Sequence, residues 1–215
     1  VDFQDHSSEI GGLAGSWMGE NETATAQSAE FRKVNLKANK LGIFTEASNE
    51  LAEDGLGFQM QLRNAMTRAI GFDLDYAFIQ GDGVAKPLGI LNAGSKITVA
   101  KESGQAADTV VFENIVNMWS RLHPALANDA VWIANPNIMP QLFTMSFEGT
   151  SGSVPAFMPA NTGLTNTAPA TLMGRPLMFS EKASTVGDEG DIILVAPSQY
   201  AIGLRRDATL QRSID

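Results

Sequence analysis

The sequence predicts a layered fold of helices and strands, α+β or α/β, with parts that extend beyond one compact globule. Three observations carry this reading. A helical period runs from Phe58 to Ile79, a ribbon pattern of extended segments occupies residues 11–48, and a helix, a strand and a second helix follow one another between Phe112 and Phe147. The chain has 215 residues, 44% hydrophobic and 18% charged, enough for a sizeable core and unlike disordered or collagen-like material.

The ribbon comes first. Gly12 to Met18 reads as one extended arm and Phe31 to Thr45 as the other, where Val34, Leu36 and Ala38 alternate with Asn35 and Lys37 before Leu41 and Ile43 resume the period of two. The tip, Gly19 to Ala29, carries Glu20, Glu22, Thr23, Thr25, Gln27 and Ser28, and so has little to bury. A two-stranded ribbon is marginal alone in water, so the pattern requires something else to pack against it.

Phe58, Leu62, Ala65, Ala69, Phe72, Tyr76 and Ile79 recur at spacings of four and three, which predicts an amphipathic helix. Asp54 is read as its N-cap and Gly81 as its stop, giving about 25 residues and about 38 Å of rod. Arg63 and Arg68 face away from the stripe, and Gly71 either allows a close approach or weakens the middle by around 1 kcal/mol. Three heptads without regular flanking charges favour packing on a sheet over a coiled coil.

Gly81 to Leu91 is dense in turns and ends in a small apolar plug. Phe112, Ile115, Trp119 and Leu122 form the stripe of a second helix, with His123-Pro124 near its end. Ala130 to Ala134 reads as a buried strand, and Asn135-Pro136 opens a short helix reaching about Phe147. Glu148 to Ala170, rich in Gly, Ser, Thr, Asn and Pro, is read as a long loop. Strands are expected at Arg175 to Ser180, Ile192 to Ala196 and Tyr200 to Arg205, with a continuation at Ala208 to Arg212.

Chemistry is sparse. Cysteine is absent, which removes disulfides, thiolate metal sites and cysteine nucleophiles together. His6 and His123 have no metal-ligand spacing, and Gly81-Asp82-Gly83 lacks the regular oxygen ligands of a calcium loop. Gly149 to Ser153 lacks both the Lys-Ser/Thr of a phosphate loop and the spacing of a nucleophile elbow. Asp73 with Asp75, and Glu50 with Glu53, are placed for helix surface and capping roles rather than acid-base work. Fifteen Lys and Arg against 24 Asp and Glu give a net charge of -9, which disfavours a dedicated nucleic-acid reader or a binder of anionic lipid. No apolar run approaches the roughly 18 residues of a membrane span, and the start has no signal-like core. Because Val1 is not Met, both ends are expected to be incomplete.

One combination is more specific. Trp17-Met18-Gly19-Glu20, then Thr45-Glu46-Ala47-Ser48-Asn49-Glu50-Leu51 with Asp54 soon after, then the long helix, Gly81-Asp82-Gly83 and Pro87-Leu88-Gly89-Ile90-Leu91 follow in an order that resembles the major capsid proteins of tailed bacteriophages. Ala130 to Pro136, Leu172 to Leu177, Gly190 to Leu194 and Tyr200 to Gly203 continue the likeness, which covers roughly Trp17 to Arg212.

The resemblance implies an α+β capsid fold. Residues 1–10 would be the remnant of an N-terminal arm and 11–48 the extended hairpin loop. Residues 49–93 with 205–215 would form a peripheral domain holding spine helix 54–80, and 94–204 an axial domain of mixed sheet flanked by helices. It further implies a structural, non-enzymatic subunit that needs no cofactor or metal. Copies would join as pentamers and hexamers in an icosahedral shell around double-stranded DNA, without sequence-specific binding and without a membrane. Scaffold, portal and decoration proteins would be further partners, with assembly in the bacterial host cytoplasm and residence in the virion. Trp17, Glu20, Glu22, Arg32, Lys33, Lys37, Arg63 and Arg68 are the expected inter-subunit contacts. The family's N-terminal arm and last strand are expected to be absent or shortened, and nothing singles out a partner that would crosslink Lys33, Lys37 or Lys40. Two alternatives are a shell of the same fold that houses protein cargo and, from another class, a monomeric hydrolase with a mobile loop at 148–170.

Overall fold

The computed structural model describes residues 17–20, 35–46, 57–149, 152–155 and 171–206. The chain divides into two units, Val1–Ala38 and Asn39–Asp215. In the first, the described residues are 17–20 and 35–38, and Trp17 is wholly exposed there. Among the described residues of the expected ribbon, 17–20 and 35–46 carry no sheet pairing, and Leu36 and Leu41 are exposed; the rest of it lies outside the described residues. A bare two-stranded ribbon gains too little from its own contacts to hold a register. Most of the expected tip, and both Asp54 and the Ala208 to Arg212 extension, lie outside the described residues.

The second unit is built on a four-stranded mixed sheet. The strands are β1 (Val131–Ala134), β4 (Thr171–Leu172), β5 (Arg175–Phe179) and β6 (Ile192–Val195), in the order β4-β5-β1-β6. β5 runs parallel to β1, while β6 is antiparallel to β1 and β4 to β5. β4 and β5 meet through the two-residue turn Met173-Gly174, with φ of 51° and 75°, the double left-handed geometry whose twist suits a tight hairpin.

The strand period of two sorts side chains to the two faces. On one face Trp132 and Ala134 of β1, Leu177 of β5 and Ile192 of β6 meet a helical layer and close the main core. That layer is α2 (Phe112–Ser120), which contributes Ile115, and α3 (Met139–Thr144), which contributes Leu142 beside Ile138. Trp119 stacks on Trp132 with ring centroids 6.5 Å apart. On the other face Ile193, with Ile133 and Val195, packs on Ile79, Ala183, Ile90 and Leu91.

Local chemistry explains the element ends. Asn114 Oδ1 accepts the Val111 N–H at 3.0 Å where α2 begins. Asn135 caps the turn into α3 as expected: its Oδ1 accepts the Asn137 N–H at 3.1 Å and its Nδ2 donates to the Ala183 carbonyl at 2.8 Å. Pro136 at the first position suits a helical start, and the first turn, Pro136–Ile138, is 3₁₀.

Several expectations need correction. α3 stops at Thr144 rather than near Phe147, and Ser146–Gly149 (β2) instead pairs antiparallel with Gly152–Pro155 (β3), so the long loop opens with a hairpin. α2 ends at Ser120, which leaves Leu122 beyond the helix. Residues 201–206 have no sheet partner among the described residues despite their alternation.

Candidate assembly surface

The long helix α1 spans Phe58–Gln80, 23 residues. Gly57, in left-handed backbone with φ 78°, sits at its N-cap, and Asp54, the cap expected from sequence, lies outside the described residues. Glycine tolerates that conformation where another residue would be strained. At the other end Gly81 is the stop, in extended rather than left-handed backbone. The reason for glycine there is contact. A Cβ at Gly81 would collide with the carbonyl oxygens of Pro87 and Ala77, and one at Gly89 would lie 2.5 Å from the Gly81 nitrogen and 2.7 Å from the Ile79 oxygen. The Gly89 N–H donates to the Gly81 carbonyl at 2.8 Å, so the two glycines let the chain double back against the helix end. Asn92 Nδ2 closes the same turn on the Gln80 and Gly81 carbonyls.

Burial of α1 is confined to this end. Only Ala77 and Ile79 of its residues are buried. Phe72 and Tyr76 of the predicted stripe are exposed, as is Met60, at 67%. Among the described residues the expected packing of the stripe on a sheet is made only at the last turn, which meets the sheet's second face through Ile79. Gly71 has open space around it, so within the chain it serves no close approach and weakens the helix by about 1 kcal/mol relative to alanine.

Three side chains that sequence reasoning missed tie the helix end to the rest. Gln80 Nε2 donates to the Lys182 carbonyl at 2.6 Å, and the Lys182 ammonium sits over the Phe72 ring. Tyr200 donates its hydroxyl to the Leu88 carbonyl at 2.7 Å and sets its ring edge-on to Phe78 at 6.0 Å. Burial pushes the Tyr200 hydroxyl above its ordinary pKa. None of these pairs lies within twelve residues except by folding, so no local spacing announces them.

Of the sequence-predicted contacts, Trp17, Glu20 and Lys37 of the first unit are exposed, as are Arg63 and Arg68 on α1. Glu22, Arg32 and Lys33 lie outside the described residues. Further exposed apolar groups are Phe44, Val84, Leu88, Ile97, Ile202 and Leu204.

Charged groups near the surface serve turns. Asp82 is held below its ordinary pKa by the Val84 N–H at 3.0 Å and, further off, by Lys86 at 3.6 Å. Glu189 is lowered by the Thr98 hydroxyl at 2.6 Å and by Lys96 at 3.0 Å. His123 accepts the Ala125 N–H, a structural turn contact. Among the described residues no three His, Asp or Glu side chains gather where a metal ion would be held, and no helix is long and apolar enough to cross a membrane.

A mixed sheet layered with short helices, and a long helix whose described burial lies in its last turn, is the architecture of a phage-type capsid protein. Among the solved structures that share it are two capsids. The capsid of a native GTA particle, computed with C5 symmetry, superposes with a TM-score of 0.66 at 20% identity over 86% of this chain. The capsid of an empty GTA particle, computed with the same symmetry, gives 0.64 at 22% identity over 88%. This chain spans 64% and 65% of the length of those two. The chain belongs to the phage capsid family, whose profile matches residues 3–215. Among curated proteins none matches it.

Proposed function

We propose that the chain is a structural subunit that joins copies of itself into a closed icosahedral shell around double-stranded DNA. One observation carries the reading: a 23-residue helix with two buried residues leaves Met60, Phe72 and Tyr76 in solvent. Monomeric proteins seldom leave such apolar surface uncovered, and neighbouring copies are the partner that family membership supplies. At about 25 cal/mol per Å², a few hundred Å² of apolar area per contact is worth several kcal/mol before ordering costs, and a shell repeats each contact many times.

Rings of five or six subunits need heterologous contacts closed by rotation. Trp17, Glu20, Glu22, Arg32, Lys33, Lys37, Arg63 and Arg68 are the residues we assign to them. The net charge of -9 suits a wall that holds DNA without gripping its phosphates. Residence in a virion, assembly in a bacterial host, and scaffold, portal and decoration partners complete the reading. Negative-stain electron microscopy of the expressed protein tests it: rings or closed shells are expected, and uniformly monomeric particles at high concentration would refute it. Shells that purify with protein rather than DNA inside would replace the genome container by a cargo compartment.

A further inference from the structure

We infer that the turn after α1 guards its own Asp82-Gly83 bond against isomerisation to isoaspartate, and that Lys86 is part of the guard. An Asp-Gly bond is open to this reaction because glycine has no side chain to shield its nitrogen. The Gly83 nitrogen attacks Asp82 Cγ, an N–Cγ bond forms, and one carboxyl oxygen leaves as water with the amide proton and the acid proton. Water then adds back to the succinimide ring. Opening at the side-chain carbonyl restores aspartate, whereas opening at the main-chain carbonyl leaves the chain running through Cβ and Cγ. The reaction consumes no oxidant or cofactor, and the mass of the chain is unchanged.

Only the neutral carboxyl group has a hydroxyl to lose, so whatever holds the charged form slows ring closure. Here Asp82 Oδ1 accepts the Val84 N–H at 3.0 Å and Oδ2 lies 3.6 Å from the Lys86 ammonium. Both contacts favour the carboxylate, the Val84 bond more strongly, in keeping with the lowered pKa of Asp82. The backbone is braced as well. Asp82 bridges antiparallel to Leu88, the Gly89 N–H donates to the Gly81 carbonyl at 2.8 Å, and Gly83, at φ 77°, lies so near Leu88 that a Cβ there would meet its side chain at 3.3 Å. Ring closure takes Cγ off the Val84 N–H and draws the Gly83 nitrogen into a planar five-membered ring, which this turn resists. The joint itself is at stake. An isoaspartyl link adds a methylene to the main chain inside the stretch that seats Gly89 on the helix end and presents the Leu88 carbonyl to the Tyr200 hydroxyl at 2.7 Å.

Only the folded chain is needed to test this, assembled or not. Native full-length protein, Lys86→Met and Lys86→Arg are aged in near-neutral buffer, each folded and each unfolded in concentrated urea. Isoaspartate at Asp82 is then followed by proteolysis and electron-transfer fragmentation, which tells the two linkages apart and separates this site from the same dipeptide at Asp54-Gly55. The folded native chain should form it about tenfold more slowly than the unfolded one, as a charge-assisted hydrogen bond in a braced turn allows. Folded Lys86→Met should be about two- to fivefold faster than folded native, the effect of losing an exposed ion pair, with Lys86→Arg back near native. Equal rates in folded and unfolded native protein overturn the guard. Equal rates in folded native and Lys86→Met, or an acceleration by Lys86→Met that persists in urea, overturn the part given to Lys86. Should Lys86→Met lose its fold, judged by circular dichroism, the ratio of folded to unfolded rates in the native chain decides.

Discussion

The sheet region and the long helix each carry a regular apolar face, at a period of two in the strands and of three to four in the helix, and end in opposite states. Trp132, Ile115, Ile138 and Leu142 are fully buried, while α1 buries only its last turn. Periodicity says which face of an element seeks cover. It does not say which molecule provides the cover. In the sheet region the partner elements follow within the same chain, so apolar pattern and burial coincide; along α1 the described residues bury the apolar face at Ile79, where Ile90, Leu91 and Ile193 converge, while Phe72 and Tyr76 stay exposed.

Substitutions in the two regions should therefore separate folding from assembly. The largest effect on folding is expected from Trp132→Ala, which removes the largest fully buried side chain and the stack on Trp119. It should cost about 3–5 kcal/mol of stability, read as a lower urea midpoint. Gly89→Ala comes next, because its methyl group meets backbone on the Gly81 and Ile79 side that cannot swing away. A loss of about 1–3 kcal/mol is expected by the same measurement. Gly71→Ala goes the other way, since open space surrounds that position, and should raise subunit stability by about 0.5–1 kcal/mol. Met60→Ser should move subunit stability by no more than about 0.5 kcal/mol, as an exposed site does, yet weaken association in sedimentation. A large unfolding effect from Met60→Ser would erase the contrast between the regions.

The smallest effect concerns acid. The pKa values of Asp82 and Glu189 lie below their ordinary values of 3.8 and 4.5 in the folded chain. Their contacts thus contribute fully above those values and are lost as pH falls through the lowered folded ones. Both groups are exposed, so a urea midpoint measured from pH 7 down to pH 5 should stay nearly flat.

The legible part of the fold was the part built from neighbours in sequence. Asn135-Pro136 announces a capped turn, and Ala130 to Ala134 announces a buried strand, because the groups that satisfy each lie a few residues away. The stop at Gly81 was legible, but its cause was not: the glycine is required by Pro87 and Ala77 folding onto it. The described part of α1 begins after the left-handed turn at Gly57, which no cap-type side chain announces, and Asp54 lies outside the described residues. Tyr200 was read as one more residue of a strand, and its bond to Leu88, 112 positions away, is invisible to any local pattern. The family likeness rests on the order of several phrases, and so survived errors in single elements.

The most direct test is sedimentation velocity of the purified full-length protein over a concentration series. The account predicts mass moving from subunit to ring- or shell-sized species as concentration rises, with Met60→Ser shifting that transition to higher concentration. A single subunit-sized boundary at every concentration, unchanged by the substitution, would contradict it.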